Sequence, residues 1–261
     1  MQDRNFNDIA EKFAQNIYGT TKGRLRLAVL WQDLSDLLTR LPSRPLRILD
    51  AGGGEGQMAC RLAALGHQVL LCDVSDEMIQ RAKNAAEAQG VTHNMRFVQC
   101  AAQDIAQYME SPADLILFHA VLEWVAQPQQ MLKILYDCLS PGGALSLMFY
   151  NHHGLLMRNM VLGNFDYVQA GMPKNKKRSL SPDHPLDPQE VYGWLDEMGL
   201  TISGKTGVRV FHDYLQNKQQ QIDKFADILE LEQRYCRQEP FVSLGRYIHV
   251  MAHKPHLKDA L

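Results

Sequence analysis

The stretch from Leu46 to Gln57 constrains this chain more than any other. A short apolar run ends at Asp50, four glycines follow at 52, 53, 54 and 56, and a helical pattern opens at Gln57-Met58-Ala59-Cys60-Arg61-Leu62. A strand that stops at an acid and runs into glycines lets bare backbone approach a ligand. It also leaves the amides of a helix N-terminus aimed at that ligand. In an open α/β sheet the ligand then lies beyond the strand's C-terminal end. The dinucleotide fingerprint would need glycine at 57 once Gly52 and Gly54 are fixed, and Gln57 stands there. Instead Asp50, Gly52, Gly54 and Gly56 occupy alternate positions. A plain strand-to-helix turn is the alternative, and it leaves that coincidence unexplained.

Further apolar runs follow in β-α-β alternation, which predicts a parallel sheet. The second strand, 68–73, ends at Asp73, 17 residues beyond Gly56. That is where a carboxylate accepts hydrogen bonds from a ribose diol. A third strand, 95–100, leads into Ala101-Ala102-Gln103-Asp104, and a fourth, 114–118, delivers His119 to the ligand edge. A strand-end His is either a general base or a ligand contact, and contact is the preferred role here. Ser140-Pro141-Gly142-Gly143 turns the chain into a fifth strand, 144–150.

Two amphipathic helices, 3–17 and 22–40, precede the first strand, and the second carries Arg26. After residue 150 the alternation breaks. The segment 151–185 reads as an insertion, and from Tyr150 to Pro182 Arg158, Lys174, Lys176, Lys177 and Arg178 stand against the single acid Asp166, with Phe165 and Tyr167 nearby. Such a surface suits phosphates and a base, although a solvated loop is its bland alternative. A helix at 188–198, a strand at 201–211, a long polar helix at 214–236 and a last strand at 246–252 complete the chain.

The formal net charge of −2 over 261 residues excludes a globally basic coat but not a local one. The five cysteines are odd in number and far apart, giving neither a disulfide framework nor a metal motif, so no metal is expected. No apolar run reaches the ~20 residues that span a bilayer, and the opening Gln2-Asp3-Arg4-Asn5 is polar. A cytoplasmic protein is expected.

The alternating acid and glycines, and the Pro-Gly-Gly turn before the fifth strand, resemble the class I S-adenosylmethionine-dependent methyltransferases. Longer segments narrow the resemblance to the bacterial enzymes that methylate 5-carboxymethoxyuridine in tRNA. They are Asn16-Ile17-Tyr18-Gly19-Thr20-Thr21-Lys22-Gly23, His119-Ala120-Val121-Leu122-Glu123-Trp124, Asn164-Phe165-Asp166-Tyr167-Val168-Gln169-Ala170-Gly171 and Lys205 to Tyr214. The resemblance implies one Rossmann-like domain over 1–261, with a mixed seven-stranded sheet and helices on both faces. Lid helices would span 1–45, a basic insertion 151–185 and a helical insertion 212–243. It implies S-adenosyl-L-methionine as cofactor, held by Arg26, Gly52, Gly53, Asp73, Ala102, Gln103 and His119. The implied partner is the tRNA anticodon stem-loop bearing 5-carboxymethoxyuridine at the wobble position, whose carboxylate becomes a methyl ester. A carboxylate is anionic at pH 7, so no general base is required. Lys22, Arg209 and Arg246 are the candidates for orienting it. Two competing readings are an enzyme of a small metabolite, such as a quinone precursor, and a non-catalytic RNA-binding module.

Overall fold

A computed structural model describes residues 19–173, 182 and 184–256. The expected helix at 3–17 and the lysines and arginine of 174–178 lie outside the described residues. The first described helix, α1 (Thr21–Leu38), is capped by the Thr20 hydroxyl, which accepts from the Gly23 amide. There follow β1 (Arg47–Ala51), α2 (Gln57–Ala64), β2 (Gln68–Asp73), α3 (Asp76–Ala88), β3 (Met95–Gln99), β4 (Ala113–His119), α4 (Pro128–Cys138) and β5 (Leu139–Tyr150). The chain continues through α5 (His152–Val161), α6 (Phe165–Gln169), α7 (Pro188–Glu197), β6 (Thr201–Val208), α8 (Gln220–Asp223), α9 (Phe225–Tyr235), α10 (Phe241–Leu244) and β7 (Tyr247–His253).

The seven strands form one sheet in the order β3-β2-β1-β4-β5-β7-β6. β1 to β5 pair in parallel, whereas β7 runs antiparallel to both β5 and β6, giving the expected mixed sheet. The chain order reverses between β1 and β4, and a ligand cleft opens at the carboxyl ends of such strands. β4 is buried along Ala113 to Phe118, as a strand covered on both faces must be. One face packs against Leu25, Val29, Leu30 and Leu34 of α1, with α2, α3 and Ile228 of α9; the other packs against α4 and Val191 and Leu195 of α7.

Several boundaries move. β5 begins at Leu139, so Pro141-Gly142-Gly143 lies inside it, and the pairing with β4 shifts register between Ala113 and Leu115. β6 stops at Val208 because Arg209 takes a left-handed backbone, φ 64°. The polar helix expected at 214–236 is two helices, α8 and α9, separated at Lys224. No helix among the described residues is long and apolar enough to cross a membrane.

Candidate active site

The glycine loop after β1, the end of β2, the turn after β3, the end of β4 and the inner side of α1 enclose one cavity. Arg26, Gly52, Gly53, Asp73, Ala102, Gln103 and His119 all line it, together with Asp50, Gln57, Cys100 and Trp124. Gly52 sits at φ +68°, and a Cβ there would stand 2.6 Å from the Val121 side chain; one on Gly53 would stand 2.8 Å from the Asp50 carboxyl. Only bare backbone fits between those walls. The Asp73 carboxylate is fixed by two amides, with Gly54 N donating at 3.0 Å to Oδ2 and Ser75 N at 2.9 Å to Oδ1. Each oxygen keeps a lone pair for a diol. Gln57 Oε1 is buried without a hydrogen bond among the described residues, which a bound polar group would relieve. The donor set fits a nucleoside carrying a zwitterionic tail.

Burial and the neighbouring Asp73 charge raise the Asp50 carboxyl to about 7. Burial likewise raises Glu123, at the end of the segment after β4, to about 8, against the influence of nearby amides and Arg26. His119 is held neutral, its pKa well below the ordinary value, by burial and then by His249 and Arg26. A buried chain runs beneath it. His119 Nε2 lies 2.8 Å from Ser146 Oγ, which lies 2.8 Å from His249 Nε2, and His249 Nδ1 lies 2.7 Å from Asp33 Oδ2. Asp33 also accepts from Arg237 at 2.6 and 2.8 Å. Burial opposes its charge, yet His249 and Arg237 hold its pKa below the usual value. The carboxylate can only accept, so His249 Nδ1 carries a proton, and Ser146 couples the remaining ring nitrogen to His119.

Lys22, Arg209 and Arg246 do not line this cavity; they gather beside it around Asp213. Arg209 Nη2 lies 3.0 Å and Arg246 Nε 3.8 Å from Asp213 Oδ2. Burial works against the Asp213 charge, but Arg209, the His212 hydrogen bond and Arg246 keep it far below the usual carboxylate range. Lys22 feels Asp213, Arg209, Arg158 and Arg246, and partial desolvation with the three guanidinium groups lowers its pKa. Glu232 of α9 builds the turn that carries this cluster, accepting from the amides of Val210 (2.8 Å), Phe211 (2.9 Å) and His212 (2.8 Å).

Sequence reasoning missed Asp33, Ser146, Asp213, Glu232 and His249. Asp33 left a trace, since it is an acid on the apolar stripe of α1 between Leu30 and Leu34. Glu232 left none, because its partners lie 20 to 22 residues away on an irregular turn.

Residues 49–147 match the model of a methyltransferase domain. The chain is 68% identical over 259 residues, 99% of either chain, to the tRNA 5-carboxymethoxyuridine methyltransferase of Escherichia coli (strain K12). It belongs to the tRNA 5-carboxymethoxyuridine methyltransferase family. A ubiquinone biosynthesis O-methyltransferase of Coxiella burnetii (strain Dugway 5J108-111) is 30% identical over 62% of this chain and 66% of its own. Magnesium protoporphyrin IX methyltransferase from Synechocystis PCC 6803, solved with bound SAH, superposes with a TM-score of 0.65 at 14% identity, covering 95% of this chain and 96% of its own. That structure shares the fold. The match to the Escherichia coli enzyme covers far more than the methyltransferase domain, running past residue 147 through the segments that carry Tyr150, Arg209, Asp213 and Arg246 here.

Proposed function

We propose that this protein methylates the carboxylate of 5-carboxymethoxyuridine at the wobble position of tRNA, using S-adenosylmethionine. The observation that carries this reading is the 68% identity across 99% of both chains. It extends well past the methyltransferase domain at 49–147, so the parts that select the substrate are shared as well as those that bind the methyl donor. S-adenosylmethionine supplies an electrophilic methyl group: a carboxylate lone pair forms the O–C bond, the S–C pair stays on sulfur, and S-adenosylhomocysteine and a neutral ester result.

The residues of the chain bind and orient. Asp73 would accept from the ribose hydroxyls, the Gly52-Gly53 backbone would admit the methionine moiety, and Ala102 and Gln103 would meet the adenine. Arg26 would hold the ligand's carboxylate, and His119 is a contact whose ring orientation Ser146 fixes. No side chain needs to remove a proton, because the nucleophile is ionised beforehand; positioning and partial desolvation supply the acceleration. On the RNA side, Phe165 is 54% exposed on α6, where a base can stack on it. The lysines that follow in the chain carry the charge for phosphates.

The test is nucleoside mass spectrometry of wobble uridines, combined with reconstitution from purified protein, S-adenosylmethionine and tRNA bearing 5-carboxymethoxyuridine. The methyl ester should form in the tube and vanish from a strain lacking the gene. Persistence of the ester in that strain, with no transfer in the tube, would leave a small metabolite as the substrate.

A further inference from the structure

The cluster beside the cavity holds donors that Asp213 does not satisfy. Tyr150 ends β5 opposite Tyr247, which begins β7, and their rings lie 5.3 Å apart. The Arg246 guanidinium sits 4.7 Å from the Tyr150 ring centre and that of Arg209 5.4 Å from the Tyr247 ring centre. Three atoms here are buried without a hydrogen bond among the described residues: Arg209 Nε, Arg246 Nη1 and the Tyr150 hydroxyl. Tyr150 is 1% exposed, and burial raises its phenol further above its ordinary value, so it stays a neutral donor. Arg209 holds a left-handed backbone, φ 64°, a conformation that costs energy in a side-chain-bearing residue and that clusters at functional positions.

Lys22 feels three guanidinium groups, Arg158, Arg209 and Arg246, against one carboxylate, Asp213. Unpaired donors and excess positive charge together call for an anion with several lone pairs. The site adjoins the cofactor cavity: Tyr150 lies two residues beyond Met148, the β4-pairing partner of His119, and Tyr247 feels Glu123 and Arg26.

We propose that Arg209 Nε, Arg246 Nη1 and the Tyr150 hydroxyl receive the carboxylate of the acceptor uridine, with Asp213 fixing the two guanidinium groups. This rests on the function proposed above. Three donors to a carboxylate's four lone-pair sites leave one for attack. Asp213 tempers the cationic field, so the nucleophile is held without being quenched. The ester product is neutral and loses the charge-assisted part of this contact, which favours its release. A uridine with an uncharged 5-substituent would leave both guanidinium donors unpaired and is selected against.

The experiment compares tRNA carrying 5-carboxymethoxyuridine with the same tRNA carrying neutral 5-methoxyuridine, for the intact protein and for Tyr150→Phe and Arg246→Gln. Cofactor affinity, read by calorimetry, should stay unchanged in both variants. The preference is read as RNA affinity, because the neutral RNA has no carboxylate to methylate, and the intact protein should bind the carboxylate RNA at least tenfold more tightly. Arg246→Gln should abolish that preference and raise KM about tenfold, and Tyr150→Phe should reduce the preference about threefold. Should Arg246→Gln not fold, Arg246→Lys keeps charge and bulk, loses the fork and should fall between. Equal weakening toward both RNAs would overturn the proposal and assign the cluster to a backbone phosphate; an unchanged preference in both variants would overturn it outright. If the intact protein does not methylate the 5-carboxymethoxyuridine RNA, the proposed function itself fails, a separate result.

Discussion

Asp73 and Asp50 stand at neighbouring strand tips with opposite tasks. Asp73 has an amide on each oxygen and is built to accept, so Asp73→Ala would leave a buried diol without its charged acceptor and weaken S-adenosylmethionine binding by roughly 1.5–3 kcal/mol. Calorimetry showing unchanged affinity would remove Asp73 from the site. Asp50 is raised to about 7 from 3.8, mainly by burial, so it is half protonated near neutrality in the free protein. A cationic ligand favours its ionised form, so cofactor affinity should climb by up to tenfold per pH unit toward about pH 7 and level above it, with proton release on binding. Stability of the ligand-free protein has the opposite sign. A carboxyl raised on folding destabilises the folded state as pH rises from about 4 to about 7, so Asp50→Asn should gain in Tm relative to the parent at pH 8 and not at pH 4. A flat difference between the two proteins across that range would mean that Asp50 does not titrate there. At saturating cofactor, single-turnover rates should show no rising limb near pH 6.5, because the acceptor carboxylate is ionised already and His119 stays neutral.

At the scale of elements, α1 joins the layers of the site. Lys22 and Arg26 lie one turn apart on it, the first within the field of the Asp213 cluster and the second in the cavity wall, while Asp33, two turns further, anchors His249 and Arg237. Asp33→Ala would leave two cation-capable groups without their acceptor, at a cost of about 3 kcal/mol in unfolding free energy. Urea unfolding with an unchanged midpoint would show that α1 is held by its apolar stripe alone. The depressed Asp33 pKa gives a contribution present above about pH 4 and lost as pH falls below that. The five parallel strands, the glycine loop and Asp73 were legible in the sequence, because each rests on local alternation between apolar runs and turn residues. The part of the cavity wall assembled at strand ends was legible for the same reason, whereas the wall formed by α1, with Arg26, came from the family resemblance. The relay from His119 to Asp33 was not, since it joins residues 27, 103 and 216 positions apart and exists only once β5, β7 and α1 stack. The division into α8 and α9 was hidden by a polar pattern that Lys224 does not interrupt. So was the end of β6, where Arg209 takes a positive φ just before the amides that Glu232 accepts from, with no glycine to mark the place.

For the whole molecule the central problem is how a chain of net charge −2 holds a polyanion. Charge is distributed unevenly: the segment from Tyr150 to Pro182 carries five cations against Asp166, while acids elsewhere offset them. A tRNA approaching the rest of the surface meets little attraction, so the insertion should both steer and orient it toward the C-terminal edge of the sheet. Exposed Met157, Met160 and Phe165 on α5 and α6 offer apolar surface in the same segment, which suits an unstacked anticodon base. Neutralising Lys174, Lys176, Lys177 and Arg178 together should therefore weaken tRNA binding and flatten its log–log salt dependence, by about 0.7–0.9 units for each phosphate that is no longer neutralised. S-adenosylmethionine affinity should not move, because the cofactor cavity is built from α1 and the segments at the ends of β1 to β4. Phe165→Ala should lower tRNA affinity by roughly 1–3 kcal/mol while leaving the salt slope intact, since stacking displaces no counterions. Filter binding of tRNA from about 50 to about 200 mM salt separates the two. If the fourfold variant keeps the parent's affinity and slope, the basic block is a solvated loop, and the RNA is held by the cations around Asp213 and the exposed apolar face of α5 and α6 instead.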